Sequence, residues 1–382
     1  MREYVLVFLV AAAVTYLLTV VAREIALRTG AVAPVRDRDV HAEPIPYLGG
    51  LAMLGGLVAA YIVAQQLPFL SRSGPFVFRD AGIVIVAGAL ICAVGVLDDI
   101  FELDALTKLG GQVLAAGFLI VFNIQYVFLP TPDGTQFALD ASQGALLTGF
   151  IVVATVNAVN FVDGLDGLAA GVVGIGAVAF FLFCYQLTRF NDASRATTSA
   201  LLSAALAGAC AGFLVHNFHP ARLFMGDSGS MLIGLVLSAS AVTLTGQFAE
   251  TDLSQGASGS RASLLPTLMP LLLPISLLVI PMLDLVLAVV RRTRAGRSPF
   301  APDKQHLHHR LLEIGHSQRR AVLIMWLWAG LVAFGTVLVS LYTGRWMWGS
   351  LAAMGALTVA LTFVLPVVRR PRQVAGDAPR EV

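Results

Sequence analysis

Three groups of carboxylates and one of histidines punctuate a chain that is otherwise strongly apolar. Asp98 and Asp99 stand side by side at the end of an apolar run, with Glu102 and Lys108 following. Two amides, Asn157 and Asn160, and two carboxylates, Asp163 and Asp166, fall within ten residues. Each of these pairs is spaced i,i+3, which stacks side chains on one helical face. Gly164 and Gly167 then break the helix and let another backbone or a ligand come close. Asp227 stands among Gly226, Ser228, Gly229 and Ser230 where a new apolar run begins. Small residues there leave helix N-terminal N–H groups open to an anion. The loop 291–320 has eight basic residues in thirty and carries His306, His308 and His309 between Lys304 and Arg310.

Adjacent carboxylates repel unless a cation or a proton lies between them. Histidine, lysine and arginine donors suit phosphate oxygens. No cysteine or fourth ligand is spaced to turn the histidines into a zinc site. Carboxylates with magnesium, together with cationic donors, form the toolkit of phosphoryl transfer. Each cluster also has a plainer reading. Asp227 could be only a helix N-cap, Asp98 and Asp99 a helix-end anchor, 157–168 a polar turn, and the arginines near 291 a topology signal. Asp-Asp-x-x-Glu alone would also suit the diphosphate motif of a prenyltransferase, but a second such motif is absent.

The elements that must position these residues are membrane spans. Mean hydropathy is +0.80, 57% of residues are hydrophobic and 13% are charged, which places the chain in the membrane class. Apolar runs of roughly 17 residues or more recur throughout, each able to cross about 30 Å of hydrocarbon. They are continuous rather than alternating, so the fold class is an all-α polytopic bundle and not a barrel. Eleven spans are expected, near 4–22, 48–67, 81–97, 109–128, 144–159, 168–187, 200–216, 228–246, 265–290, 321–341 and 347–367. The first reads as a retained helix and not a signal peptide, since it is long and has almost no basic n-region. The ninth holds Pro266, Pro270, Pro274 and Pro281, which predicts a kink or break. Cys92, Cys184 and Cys210 all fall inside apolar runs and read as small buried hydrophobes. Residues 1–368 form one domain in this reading, and 369–382 a short, basic, disordered cytoplasmic tail suited to anionic lipid.

Lysine and arginine set the orientation. With the first loop in the cytoplasm, 18 of the 25 basic residues fall on the cytoplasmic side and seven on the other. The N-terminus is then outside, the C-terminus inside, and every chemical cluster lands on the cytoplasmic face.

Four motifs in this order carry a resemblance: Leu97-Asp-Asp99, Asn157 to Leu168, Phe224-Met-Gly-Asp-Ser-Gly-Ser230 and Pro302-Asp-Lys-x-His-x-His-His309. The chain resembles the polyprenyl-phosphate N-acetylhexosamine-1-phosphate transferases, the MraY/WecA superfamily, over nearly its whole length. The His-x-His-His form looks like the WecA/TagO branch, and His216–Gly234 and Val290–His316 look most like its actinobacterial, decaprenyl-phosphate-using members. Glu102 takes a place often held by aspartate. The resemblance implies transfer of GlcNAc-1-phosphate from UDP-GlcNAc to a decaprenyl or undecaprenyl phosphate, with release of UMP. It implies Mg2+ as cofactor (Mn2+ as substitute), a multi-pass plasma-membrane location, a cell-wall glycopolymer pathway, and no nucleic-acid partner; a homodimer is compatible with it. By the same resemblance, Asp227 and Asn160 hold the metal and Asp166 contacts the uracil. Lys108, His306, His308, His309 and Arg310 meet the pyrophosphate or sugar, Asp98 and Asp99 serve the acceptor phosphate, and Asn157 and Asp163 complete the site.

Two other readings compete. An MraY-type enzyme would take UDP-MurNAc-pentapeptide as donor. A transporter with an acidic relay would place carboxylates mid-span, where only Asp284 offers itself, and Asp284 could equally brace the kinked span.

Overall fold

A computed structural model of the chain describes residues 1–32, 45–130, 136–190, 196–245, 272, 293–294, 316–342 and 344–368. Ten helices are described from end to end. They are α1 (Arg2–Thr29), α2 (Gly49–Ala64), α3 (Pro75–Phe101), α4 (Ala105–Val121) and α5 (Ala141–Val162). There follow α6 (Leu168–Phe190), α7 (Thr197–Asn217), α8 (Gly226–Thr245), α9 (Gln318–Leu341) and α10 (Arg345–Val368). A small antiparallel ribbon, β1 (Phe128–Pro130) with β2 (Gln136–Ala138), lies between α4 and α5. Ten of the eleven expected spans fall on these helices. The span expected at 265–290, with Asp284, lies outside the described residues, as does the tail 369–382.

Eight of the ten helices are long and apolar enough to cross a membrane, and α2 and α4 are shorter apolar helices. The outer surface agrees. Leu106, Leu114, Leu146 and Phe150 are each at least 69% exposed. Such a belt would be an aggregation-prone patch in water, whereas hydrocarbon accommodates it. Several polar side chains inside the spans bond back to their own helix. The hydroxyls of Thr148, Thr155 and Ser240 donate to the carbonyls of Gly144, Ile151 and Val236 at 2.7, 2.7 and 2.6 Å, as a medium without water requires.

Local chemistry sets the helix ends nearest the polar clusters. Glu102 takes the left-handed conformation (φ 50) and ends α3, its N–H closing on the Asp98 carbonyl. Asp104 caps α4 by accepting from the N–H groups of Leu106 and Thr107. At the other end of α5, away from Asp163, Asp140 and Gln143 form a capping box.

The hub of the bundle is α8, which packs on α3 and α5 and also on α2 and α7. Its apolar window is 94% buried, against 17% for α10, so α8 is the helix whose placement the others fix. Glycines allow the contact. A Cβ on Gly95 of α3 would lie 2.6 Å from the Asp227 carbonyl carbon, and one on Gly50 of α2 would lie 2.7 Å from Gly229 Cα. Both would strike α8 backbone, which cannot swing aside. Gly95→Ala is therefore expected to cost about 1–3 kcal/mol or more, read as a lower Tm in detergent. Gly117→Ala, where a Cβ meets nothing within 4 Å, should leave Tm unchanged or raise it.

Candidate active site

The ends of α3 and α5 and the starts of α4 and α8 meet at one end of the bundle. Asp98 and Asp99, adjacent on α3, point about 100° apart around the helix. Asp98 Oδ1 accepts from Leu103 N at 3.0 Å, and its Oδ2 pairs with Lys108 Nζ at 2.7 Å. Lys108 Nζ also donates to Asp227 Oδ2. One ammonium thus bridges a carboxylate of α3 and one of α8. Asp99 is spent differently: Oδ1 accepts from Asp227 N at 2.8 Å and Oδ2 from Ser228 N at 3.2 Å. Beside the bridge opens a cavity of about 590 Å³, lined among others by Gly30, Tyr47, Asp98, Asp99, Lys108 and Asp227.

The Asn157–Asp166 stretch divides between the site and its support. Asn160 Nδ2 donates to Ser230 Oγ at 3.1 Å, and the same amide reaches the Asp227 carboxylate. Asn157 Nδ2 instead donates to Gln112 Oε1 at 2.6 Å and to Val153 O at 2.8 Å, locking α5 to α4. Asp163 lies in the turn after α5. Loss of hydration, reinforced by the negative charges of Asp227, Asp99 and Asp166, pushes its carboxyl up to about 8. Asp166 is buried, 3% exposed. Its Oδ2 accepts from Ala221 N at 3.1 Å and lies 2.8 Å from His219 Nδ1. His306, His308, His309 and Arg310 lie outside the described residues.

Sequence reasoning assigned no part to four residues that hold this region together. Gln112, 2% exposed, clamps Asn157. Asn217 receives Gly167 N at 3.0 Å and donates to Leu223 O at 3.0 Å, which ties the α5–α6 turn to the α7–α8 loop. His219 faces Asp166, and Arg319 Nε of α9 donates to the His219 carbonyl at 3.0 Å. Asn217 and His219 do lie in the polar stretch between two spans, which was a signal; Gln112 is a lone amide in an apolar run and gave none.

Fold and site together define a polytopic helical membrane protein with a lysine-bridged carboxylate cluster at one end of its bundle. The model of glycosyl transferase family 4 matches residues 81–245, the segment that carries Asp98 through Asp227. The chain is 48% identical over 349 residues to decaprenyl-phosphate N-acetylglucosaminephosphotransferase of Mycobacterium tuberculosis, covering 90% of this chain and 84% of that protein. It is 48% identical over 374 residues to the protein of the same name from Mycolicibacterium smegmatis, covering 97% and 90%. To the phospho-N-acetylmuramoyl-pentapeptide-transferase of Desulforudis audaxviator it is 32% identical over 313 residues, covering 76% and 82%. The chain belongs to glycosyl transferase family 4, within the MraY/WecA superfamily and on its actinobacterial WecA side.

The raised Asp163 carboxyl has a measurable consequence. Its folded value lies above the unfolded one of about 3.9, so the neutral acid favours folding. That advantage is complete below about pH 4 and is lost as pH rises toward about 8. In chelator-treated protein, Asp163→Asn should therefore raise Tm, with the gain growing from about pH 5 to about pH 8. A gain independent of pH across that window would show that Asp163 ionises normally.

Proposed function

We propose that this chain transfers GlcNAc-1-phosphate from UDP-GlcNAc to a polyprenyl phosphate, giving polyprenyl-diphospho-GlcNAc and UMP. The observation that carries the reading is 48% identity across 97% of the chain to a decaprenyl-phosphate N-acetylglucosaminephosphotransferase. The lower identity to a pentapeptide transferase, 32%, favours the GlcNAc donor over UDP-MurNAc-pentapeptide. Decaprenyl phosphate is the acceptor that the mycobacterial relatives' names support. The cluster is placed at the cytoplasmic face of the plasma membrane, N-terminus outside, because 18 of the 25 lysines and arginines then lie inside. In this reading the catalytic bundle is one domain of eleven spans.

The site's residues fit magnesium. The Asp227 carboxylate and the neighbouring Asn160 amide each carry a hard oxygen, and the bridging position of Lys108 supports a demand for positive charge at Asp98 and Asp227. Among the described residues no three His, Cys, Asp or Glu side chains form a metal cage, and one or two carboxylates are what magnesium uses when substrate phosphates complete its shell. When bound, magnesium supplies charge neutralisation on the pyrophosphate. Asp227 and Asn160 would hold it.

The chain's own groups do the rest. A lipid phosphate monoester has its second pKa near 6, so it is largely dianionic at neutral pH and needs no strong base. One of its oxygens forms a bond to the sugar-bearing phosphorus of the donor. The bond from that phosphorus to the bridging oxygen breaks, and UMP leaves with the electron pair. Asp98 enters as a positioning carboxylate. Both its oxygens are engaged, with Leu103 N and with Lys108, and it keeps Lys108 at the mouth of the cavity, where the ammonium can screen the transferred phosphoryl group.

UMP release from detergent-purified protein with polyprenyl phosphate and magnesium is expected with UDP-GlcNAc and not with UDP-MurNAc-pentapeptide. Chelation should abolish it, and Asp227→Asn should lower it by about 10²-fold or more. Turnover of the pentapeptide donor would move the chain to the other branch. Silence with both donors from folded protein would overturn the transferase reading, and a phosphoryl-Asp98 trapped with UDP-GlcNAc alone would overturn direct attack.

A further inference from the structure

We infer that the two adjacent aspartates of α3 have separate tasks: Asp99 is a positioning residue that caps α8 and thereby sets Asp227, while Asp98 holds Lys108. The inference rests on the transferase reading for what Asp227 does, but its geometry stands alone. Both oxygens of Asp99 are taken, by Asp227 N at 2.8 Å and Ser228 N at 3.2 Å. These are N–H groups of the first turn of α8, which has no intrahelical partners for them. A carboxylate there also meets the positive end of the helix dipole. The arrangement is an N-cap supplied from 128 residues away.

The neighbouring surface is built for this contact. Gly88, Gly95 and Asp99 lie at i, i+7 and i+11 along α3, one stripe of the helix. A Cβ on Gly88 would meet Leu232 of α8 at 2.9 Å, and one on Gly95 would meet α8 backbone. Gly226 adopts φ +68, and a Cβ there would run into the Asp99 carboxylate. Glycine at 226 therefore serves both the turn into α8 and the approach of Asp99. Asp98 lies off this stripe and turns to Lys108. Because the Asp227 amide is itself one of the capped groups, any slip of Asp99 moves Asp227 and the cation position with it. Asparagine at 99 would present one acceptor and one donor, lose the charge, and leave one N–H without its partner.

The test compares Asp99→Asn with Asp98→Asn by Tm of metal-free protein, by Mn2+ affinity from EPR titration, and by KM for polyprenyl phosphate. Asp99→Asn is expected to lower Tm, to weaken Mn2+ binding by about tenfold or more, and to change the acceptor KM by less than about twofold. Asp98→Asn should keep or raise Tm, since it relieves crowding of like charge. Asp99→Asn with wild-type Tm and Mn2+ affinity but a raised acceptor KM would overturn the inference. Should Asp99→Asn not yield folded protein, Asp99→Glu keeps a charged double acceptor. Folded Asp99→Glu with partial Mn2+ affinity supports the cap, while wild-type Mn2+ affinity without turnover would refute it. Tm and Mn2+ binding need no donor or acceptor, so failure of the GlcNAc reading would show separately, as wild-type protein that binds Mn2+ but releases no UMP.

Discussion

Negative charge gathered at the end of an apolar bundle has to be compensated, and the arrangement of this site follows from how each carboxylate meets that demand. An ionised group held away from water without a partner costs far more than a typical contact returns. Lys108 serves Asp98 and Asp227 together. The first amides of α8 serve Asp99. The Ala221 amide and the His219 ring serve Asp166. Asp163 is the member least well provided for, and its carboxyl is pushed up to about 8 as a result. The cluster is in this sense unfinished: added positive charge near Asp227 and Asp163 lowers its energy.

Such a site works only if its parts cannot relax away from one another. Two helix ends and two helix starts contribute to it, and their positions depend on backbone-to-backbone contact around α8. Gly50 and Gly95 remove the side chains that would hold α2 and α3 off. Buried amides then fix the connecting turns: Gln112 holds Asn157 on α5, and Asn217 holds Gly167 against the α7–α8 loop. Without water to compete, these amide bonds resist exchange more than they would on a soluble surface. Motif residues such as Asn157 and Asp166 are thus engaged mainly with protein, while Asp98, Asp99, Lys108 and Asp227 line the cavity.

The helices were legible because hydrocarbon imposes length and apolarity on each span; their ends and the partition of roles were not. Hydropathy measures the stretch that lies in lipid, whereas a helix continues until something stops it. The run expected at 4–22 belongs to a helix reaching Thr29, where Gly30 turns left-handed. The run expected at 109–128 starts earlier, since Asp104 caps it. It also ends earlier, because Asn123 adopts φ 63 and sends the chain toward β1. In the same way, the motifs named Asp98, Asp99, Asn157, Asp163, Asp166 and Asp227 from side-chain chemistry alone. Side-chain chemistry is identical for Asp98 and Asp99. What separates them is the 100° between neighbours on a helix, together with a partner 128 residues distant, and neither is written locally. A tertiary cap has no local signature, because its acceptor and its donors need share nothing in sequence. The one trace it leaves is indirect: glycines at 88, 95 and 226, placed where the two helices must touch for a carboxylate of one to reach the amides of the other.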